Sequence, residues 1–227
     1  MTPKVNPSTR CACRGLTRPG RVPCVKICGI TNLTDAKAAV KAGADLLGFI
    51  FYCKSLRYVT PQQAKRIVSK LPRRVLKVGV FVNEAPARVR AIVASCGLDI
   101  VQFHGDESPA YVKGFTEFPI VKAVRVKDAA SLKKIVAYDV DFFLFDAFSP
   151  KAKGGTGRTF DWKFLGRIAK IKTPFFISGG LTPDNVGELL ERIRPFAVDV
   201  SSGVERSPGR KDVTKLRAFV NAVRGPK

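Results

Sequence analysis

The chain has 227 residues, 45% of them hydrophobic, and carries 40 Lys and Arg against 18 Asp and Glu, a formal net charge of +22. That length and apolar content allow one large core without a second domain, and no run approaches the length of a membrane-spanning helix. So large a positive excess favours nucleic acid, acidic surfaces and anionic small molecules alike, and does not choose among them.

Residues 1–24 differ from the rest. They hold Pro3, Pro7, Pro19 and Pro23, the basic residues Lys4, Arg10, Arg14, Arg18 and Arg21, and no acid. This reads as a basic, disordered extension without the apolar segment of a secretory signal, ahead of a catalytic domain over 25–227. Cys11, Cys13 and Cys24 fall in it, whereas Cys28, Cys53 and Cys96 lie in or beside the patterned region, with no spacing that suggests a disulfide framework. Free thiols in a reducing, cytoplasmic compartment fit this distribution. With one histidine and no Cys-x-x-Cys pair, no metal site is expected.

Short apolar, β-branched runs then recur at 25–28, 46–51, 76–82, 100–103, 120–126, 141–145, 174–177 and 197–200. Between them lie amphipathic stretches long enough for helices. Start signals precede several: Thr34, Thr60-Pro61, Pro86 and Thr182-Pro183, with stops at Gly43 and Gly97. Nearly continuous apolar strands alternating with helices imply a parallel sheet covered on its outside, and eight units favour a single closed (β/α)₈ TIM barrel. An open doubly wound sheet would announce a Gly-rich first turn, whereas the first turn here is Cys28-Gly29-Ile30-Thr31.

In a barrel the functional face lies at the C-terminal strand ends. The polar residues there are Cys28, Arg57, Gln102, His104, Lys122, Arg125, Asp146, a Gly154–Gly157 loop, Gly179 and Gly180, and Asp199 with Ser201, Ser202 and Gly203. The last two groups, after consecutive terminal strands, suit a phosphate, because glycines let backbone N–H groups approach an anion. Asp146 closes the apolar strand Phe142-Phe143-Leu144-Phe145. Burial there would raise its pKa as a general acid requires, but a helix cap or an ion pair would account for the residue equally well. Cys28 is likewise either a small buried hydrophobe or a base, and a basic role needs positive potential beside the thiol.

Taken in order, KICGIT, LGFIFYCKSLRYV, VGVFVNE, VQFHGDE, LFDAFSPKAKGGTGRTFDW, ISGGLTPDNV and VDVSSGVERSPGRKD resemble the phosphoribosylanthranilate isomerase family of tryptophan biosynthesis across residues 25–227. The resemblance implies an Amadori rearrangement of a phosphorylated small-molecule substrate with no cofactor. It gives Cys28 as general base, Asp146 as general acid, and Arg57 as partner of the anthranilate carboxylate. Gly179, Gly180, Ser201, Ser202 and Gly203 would hold the phosphate, Asp199 the sugar hydroxyls, and Gln102 and His104 the pocket wall. The chain departs from the family at Cys53 and Leu56, where prolines are more usual. A related histidine-pathway isomerase would carry an aspartate in place of Cys28. A nucleic-acid factor would show a helix-turn-helix or RNP motif, and neither is present. No nucleic-acid or membrane partner is expected, and monomer and homodimer both remain open.

Overall fold

The computed structural model describes residues 22–126, 128–146 and 164–225. Eight parallel strands close into a barrel in sequence order: β1 (Cys24–Ile27), β2 (Leu46–Ile50), β3 (Leu76–Phe81), β4 (Ile100–Phe103), β5 (Ile120–Arg125), β6 (Phe142–Asp146), β7 (Phe175–Ser178) and β8 (Ala197–Val200). Each lies within a residue or so of its expected run. Closure is made by β8 against β1, with Lys26 opposite Asp199 and Ile27 opposite Val200. Cys24, placed in the extension by sequence, is the buried first residue of β1, and its N–H donates to Phe196 O. Residues 1–21 of that extension lie outside the described residues, as does the Gly154–Gly157 loop.

The helices are α1 (Leu33–Ala42), α2 (Pro61–Val68), α3 (Pro86–Cys96), α4 (Pro109–Lys113), α5 (Ala129–Lys133), α6 (Leu165–Ile168), α7 (Val186–Arg192) and α8 (Val213–Arg224). Thr60 caps α2 as expected, through a reciprocal pairing with Gln63. Two other starts differ. Asn32, not Thr34, caps α1 by accepting from Asp35 N, and α7 begins after Asn185 rather than at Thr182-Pro183. At α1 the asparagine oxygen meets the helix backbone directly, whereas Asn185 makes no such cap bond and its Oδ1 accepts from Thr182 N ahead of the helix. Gly43 and Gly97 end α1 and α3 with positive φ, as the glycine stops implied.

Two apolar layers hold the barrel. Inside it, Leu46, Val78, Ile100, Val121, Leu144 and Phe176 pack together, with Phe142 edge-on to Phe176 at 5.6 Å between ring centres. Outside it, the opposite faces of the strands (Ile27, Phe49, Val101, Phe145, Ile177) meet the helices through Ala39, Ile92, Leu189 and Phe219. The N-terminal rim is fastened by a repeated device. Asp45, Asp99 and Asp141, each just before an even-numbered strand, accept the N–H of Val25, Lys77 and Ile120 on the preceding odd-numbered strand. With polar backbone satisfied at that rim, the C-terminal rim is left to carry the site. No helix among the described residues is long and apolar enough to cross a membrane.

After β8 a one-turn 3₁₀ helix (Ser202–Val204) leads into a hairpin of β9 (Glu205–Ser207) and β10 (Arg210–Lys211). The sequence pattern gave no sign of this hairpin, since both strands are polar and too short to show alternation. It folds back over the mouth: Lys211 N donates to Asp35 Oδ2 of α1, which ties the last loop to the first helix.

Candidate active site

At the C-terminal end of the barrel a cavity of about 360 Å³ is lined by Cys28, Arg57, His104, Asp146, Gly179, Gly180, Asp199, Ser201 and Ser202, and by Tyr52 and Ser55 of the β2–α2 loop. Its size suits a small phosphorylated ligand. Nine of the eleven residues to which the resemblance gave a site role therefore converge on one space. Gln102 and Gly203 do not line it.

Cys28 sits one residue beyond β1. Its N–H donates to Val200 O at 2.8 Å, and its carbonyl accepts from Lys211 Nζ at 2.6 Å and Ser201 Oγ at 3.2 Å. Because side chains alternate along a strand, Lys26, two residues back, points to the same interior face. Its ammonium is fully buried and pairs with Asp199 Oδ1 at 2.8 Å. Burial pulls Lys26 down, but Asp199 and the Cys28 sulfur more than offset it, so its pKa ends above the ordinary value. For Cys28 the balance goes the other way. Burial pushes the thiol up, Lys26 and Lys211 pull it down without matching that effect, and Asp199 adds to the rise. The positive potential that a basic cysteine needs is present as two buried lysines, yet burial keeps the thiol protonated more firmly than a free one.

Asp146 ends β6 with its side chain about one-fifth exposed, so the strand's apolar residues do not enclose the carboxyl. His104 Nε2 lies 3.8 Å from its Oδ2. Gln102 Nε2, which can only donate, meets His104 Nδ1 at 2.9 Å, so the ring proton sits on the nitrogen facing Asp146. Gln102 thus stands behind His104 rather than on the cavity wall, and its buried Oε1 has no hydrogen-bond partner among the described residues.

Gly179 and Gly180 both take positive φ, 101° and 68°, a conformation glycine adopts without strain, and both line the cavity. Asn185 secures that turn, accepting from Thr182 N and donating to Gly180 O. Beside it the 3₁₀ turn presents Ser202, and the first turn of such a helix directs unbonded N–H groups outward. Gly203 lies within this turn. A Cβ there would clash with Leu181 O, so only a glycine lets the two loops touch.

Arg57 projects from the irregular β2–α2 loop, held edge-on by Glu205, with Nε 2.9 Å from Oε1 and Nη2 2.6 Å from Oε2. Lys122 and Arg125, read as mouth residues from sequence, are not on the cavity. Lys122 is buried against Glu107 at 2.9 Å and Gly105 O at 2.7 Å, where it anchors the loop after β4. Lys26, Glu205 and Lys211 went unpredicted. The alternation that puts Lys26 beside Cys28 was readable, whereas the pairings across 148 and 183 residues of chain were not. No group of three or more His, Cys, Asp or Glu among the described residues is placed to hold a metal ion.

Residues 25–222 match the model of a family described as N-(5'-phosphoribosyl)anthranilate (PRA) isomerase. The chain is 52% identical over 201 residues to the N-(5'-phosphoribosyl)anthranilate isomerase of Geobacter sulfurreducens, covering 88% of this chain and 98% of the relative. Among solved structures, a phosphoribosyl anthranilate isomerase in complex with reduced 1-(o-carboxyphenylamino)-1-deoxyribulose 5-phosphate superposes with a TM-score of 0.82 at 40% identity, over 90% of this chain and all of that one. The enzyme from Thermotoga maritima gives the same TM-score at 41% identity and the same coverage.

Proposed function

The chain belongs to the N-(5'-phosphoribosyl)anthranilate isomerase family and isomerises that substrate in tryptophan biosynthesis; from this premise we propose how its own residues carry the reaction. The observation that supports the assignment is the convergence of Cys28 and Asp146, from β1 and β6, on one cavity together with Arg57, the Gly179-Gly180 turn and Ser201-Ser202. The phosphate takes the N–H groups of the glycine turn and the 3₁₀ turn, and Arg57 takes the anthranilate carboxylate. The furanose then spans the mouth between Cys28 and Asp146.

Asp146 gives its proton to the ring oxygen. The C1′–O4′ bond breaks, and the nitrogen lone pair forms the C1′=N bond of a Schiff base. Cys28, as thiolate, removes the C2′ proton, and the electron pair moves through C1′ onto nitrogen to give an enolamine. Tautomerisation, with a proton leaving the 2′-hydroxyl and one arriving at C1′, yields the ketone. Oxidation at C2′ is balanced by reduction at C1′, so no external oxidant or reductant enters. Lys26 and Lys211 supply the charge that a thiolate requires, and His104 presents its N–H toward Asp146.

Asp199 has a task besides any contact with sugar hydroxyls, since its carboxylate holds Lys26 in place beneath Cys28. The domain reading stays as a basic extension ahead of a catalytic barrel, in a cytoplasmic enzyme. The test is the decay of anthranilate-type fluorescence when purified protein meets phosphoribosylanthranilate made in situ, with the product identified by mass and chromatography. Conversion to the carboxyphenylamino-deoxyribulose phosphate faster than spontaneous breakdown is expected. Breakdown alone, from folded protein, refutes the assignment.

A further inference from the structure

The reaction sequence above leaves Glu205 without a task, yet its carboxylate is heavily engaged at the mouth. Its side chain is only 4% exposed, and it accepts from Arg57 Nε and Nη2, from Lys211 Nζ at 2.9 Å and from Gly209 N at 3.3 Å. Burial pushes the Glu205 carboxyl up, but the hydrogen bond from Arg57 and the charge of Lys211 outweigh that and hold it below the usual carboxylate range.

We propose that Glu205 is a positioning residue that fixes Arg57 edge-on so that the end of its guanidinium receives the substrate's carboxylate, and that through Lys211 it ties this fork to the backbone of Cys28. The inference rests on the assignment of Arg57 to that carboxylate.

Three observations carry it. First, Glu205 occupies the Nε/Nη2 edge, while Nη1 makes no hydrogen bond among the described residues. A guanidinium has two faces suited to a carboxylate, and with one filled by Glu205 the other, at Nη1 and Nη2, points to a second. Second, the charges do not cancel: Arg57 and Lys211 meet one carboxylate, which leaves one positive charge on a partly desolvated wall for a ligand carboxylate to answer. Third, Lys211 Nζ reaches past Glu205 to Cys28 O at 2.6 Å and Ser201 O at 3.2 Å. The arginine, the base and the phosphate turn therefore share one buried carboxylate as anchor. Gly29, with φ 74°, makes room for this, because a Cβ there would lie 2.5 Å from Arg57 Cδ.

The experiment measures kcat and KM for wild type, Glu205→Gln, Arg57→Ala and the double variant. Two substrates are used, N-(5-phosphoribosyl)anthranilate and N-(5-phosphoribosyl)aniline, which lacks the carboxylate. Glu205→Gln should raise KM for the first by ~10-fold or more with a smaller change in kcat, as loss of one charge-assisted anchor does. It should change KM for the second by less than ~3-fold and add little in the Arg57→Ala background, since coupled residues are not additive. Equal losses on both substrates, or full additivity with Arg57→Ala, would make Glu205 a structural strut and overturn the proposal. An Arg57→Ala variant that treats the two substrates alike would instead remove the assignment of Arg57, and this inference with it. If Glu205→Gln does not fold, Glu205→Asp, which keeps the charge but withdraws it by one methylene, is read by the same criteria.

Discussion

Replacing Lys26 by methionine tests the buried pair beneath Cys28. Lys26 has no exposed surface and the side chain of Asp199 only 8%, so both charges are largely removed from water. Methionine fills the same volume but leaves a carboxylate buried without its cation, which costs about 3–5 kcal/mol. At ~2–4 °C per kcal/mol for a domain of this size, the melting temperature should fall by about 6–20 °C. Part of that loss is the stranded charge rather than the missing ammonium. The double variant Lys26→Met/Asp199→Asn should therefore be destabilised by at least ~1 kcal/mol less than the sum of the single variants. Calorimetry or thermal circular dichroism at neutral pH reads all four proteins. A Lys26→Met variant melting within ~2 °C of wild type, or strictly additive singles, would contradict the account of a coupled, desolvated pair.

Because burial raises the Cys28 thiol, its thiolate should accumulate only above the ordinary thiol range of about 8.5, and alkylation of Cys28 by iodoacetamide should climb with pH only beyond that range. Peptide masses should show exposed Cys53 modified well before Cys28 at pH 7; equal rates there would mean the two lysines outweigh burial. Gly203→Ala should lower the melting temperature and weaken phosphate binding together, since the added methyl meets backbone rather than a flexible side chain, and an unchanged melt would show that the two loops part freely. Removing residues 1–21 should leave activity and melting temperature within error. Removal through Cys24 should lower both, because the first residue of β1 and its bond to Phe196 O are lost; equal effects of the two truncations would contradict that boundary.

The barrel was legible because a strand covered on both sides by apolar layers must be apolar along most of its length, as the run Phe142 to Phe145 is. Helix starts were less so. Thr34 and Asn32 are both good caps by type, and which one closes the turn depends on offsets of one or two residues that pattern does not resolve. Strand-end position found Cys28, Asp146, Asp199 and the two glycine turns, since barrel geometry brings strand ends to one rim. It also admitted Lys122 and Arg125, because an inward lysine at a strand end can serve a loop as well as a cavity, and Glu107 rather than a ligand claims Lys122. Glu205 and Lys211 were illegible for the opposite reason. They reach the mouth on a hairpin with no apolar pattern, and their partners Arg57 and Cys28 are brought near only when β8 closes against β1.

The proposed roles of Cys28 and Asp146 as base and acid of the isomerisation are tested by turnover of phosphoribosylanthranilate by Cys28→Ala and Asp146→Asn, each shown by circular dichroism to keep the wild-type fold and melt. A positioned acid or base is worth ~10²–10⁴-fold, so each variant should lose at least ~10² in kcat. Near-normal turnover by either folded variant would contradict that residue's role and send the search for its replacement to the other titratable groups on the same cavity wall.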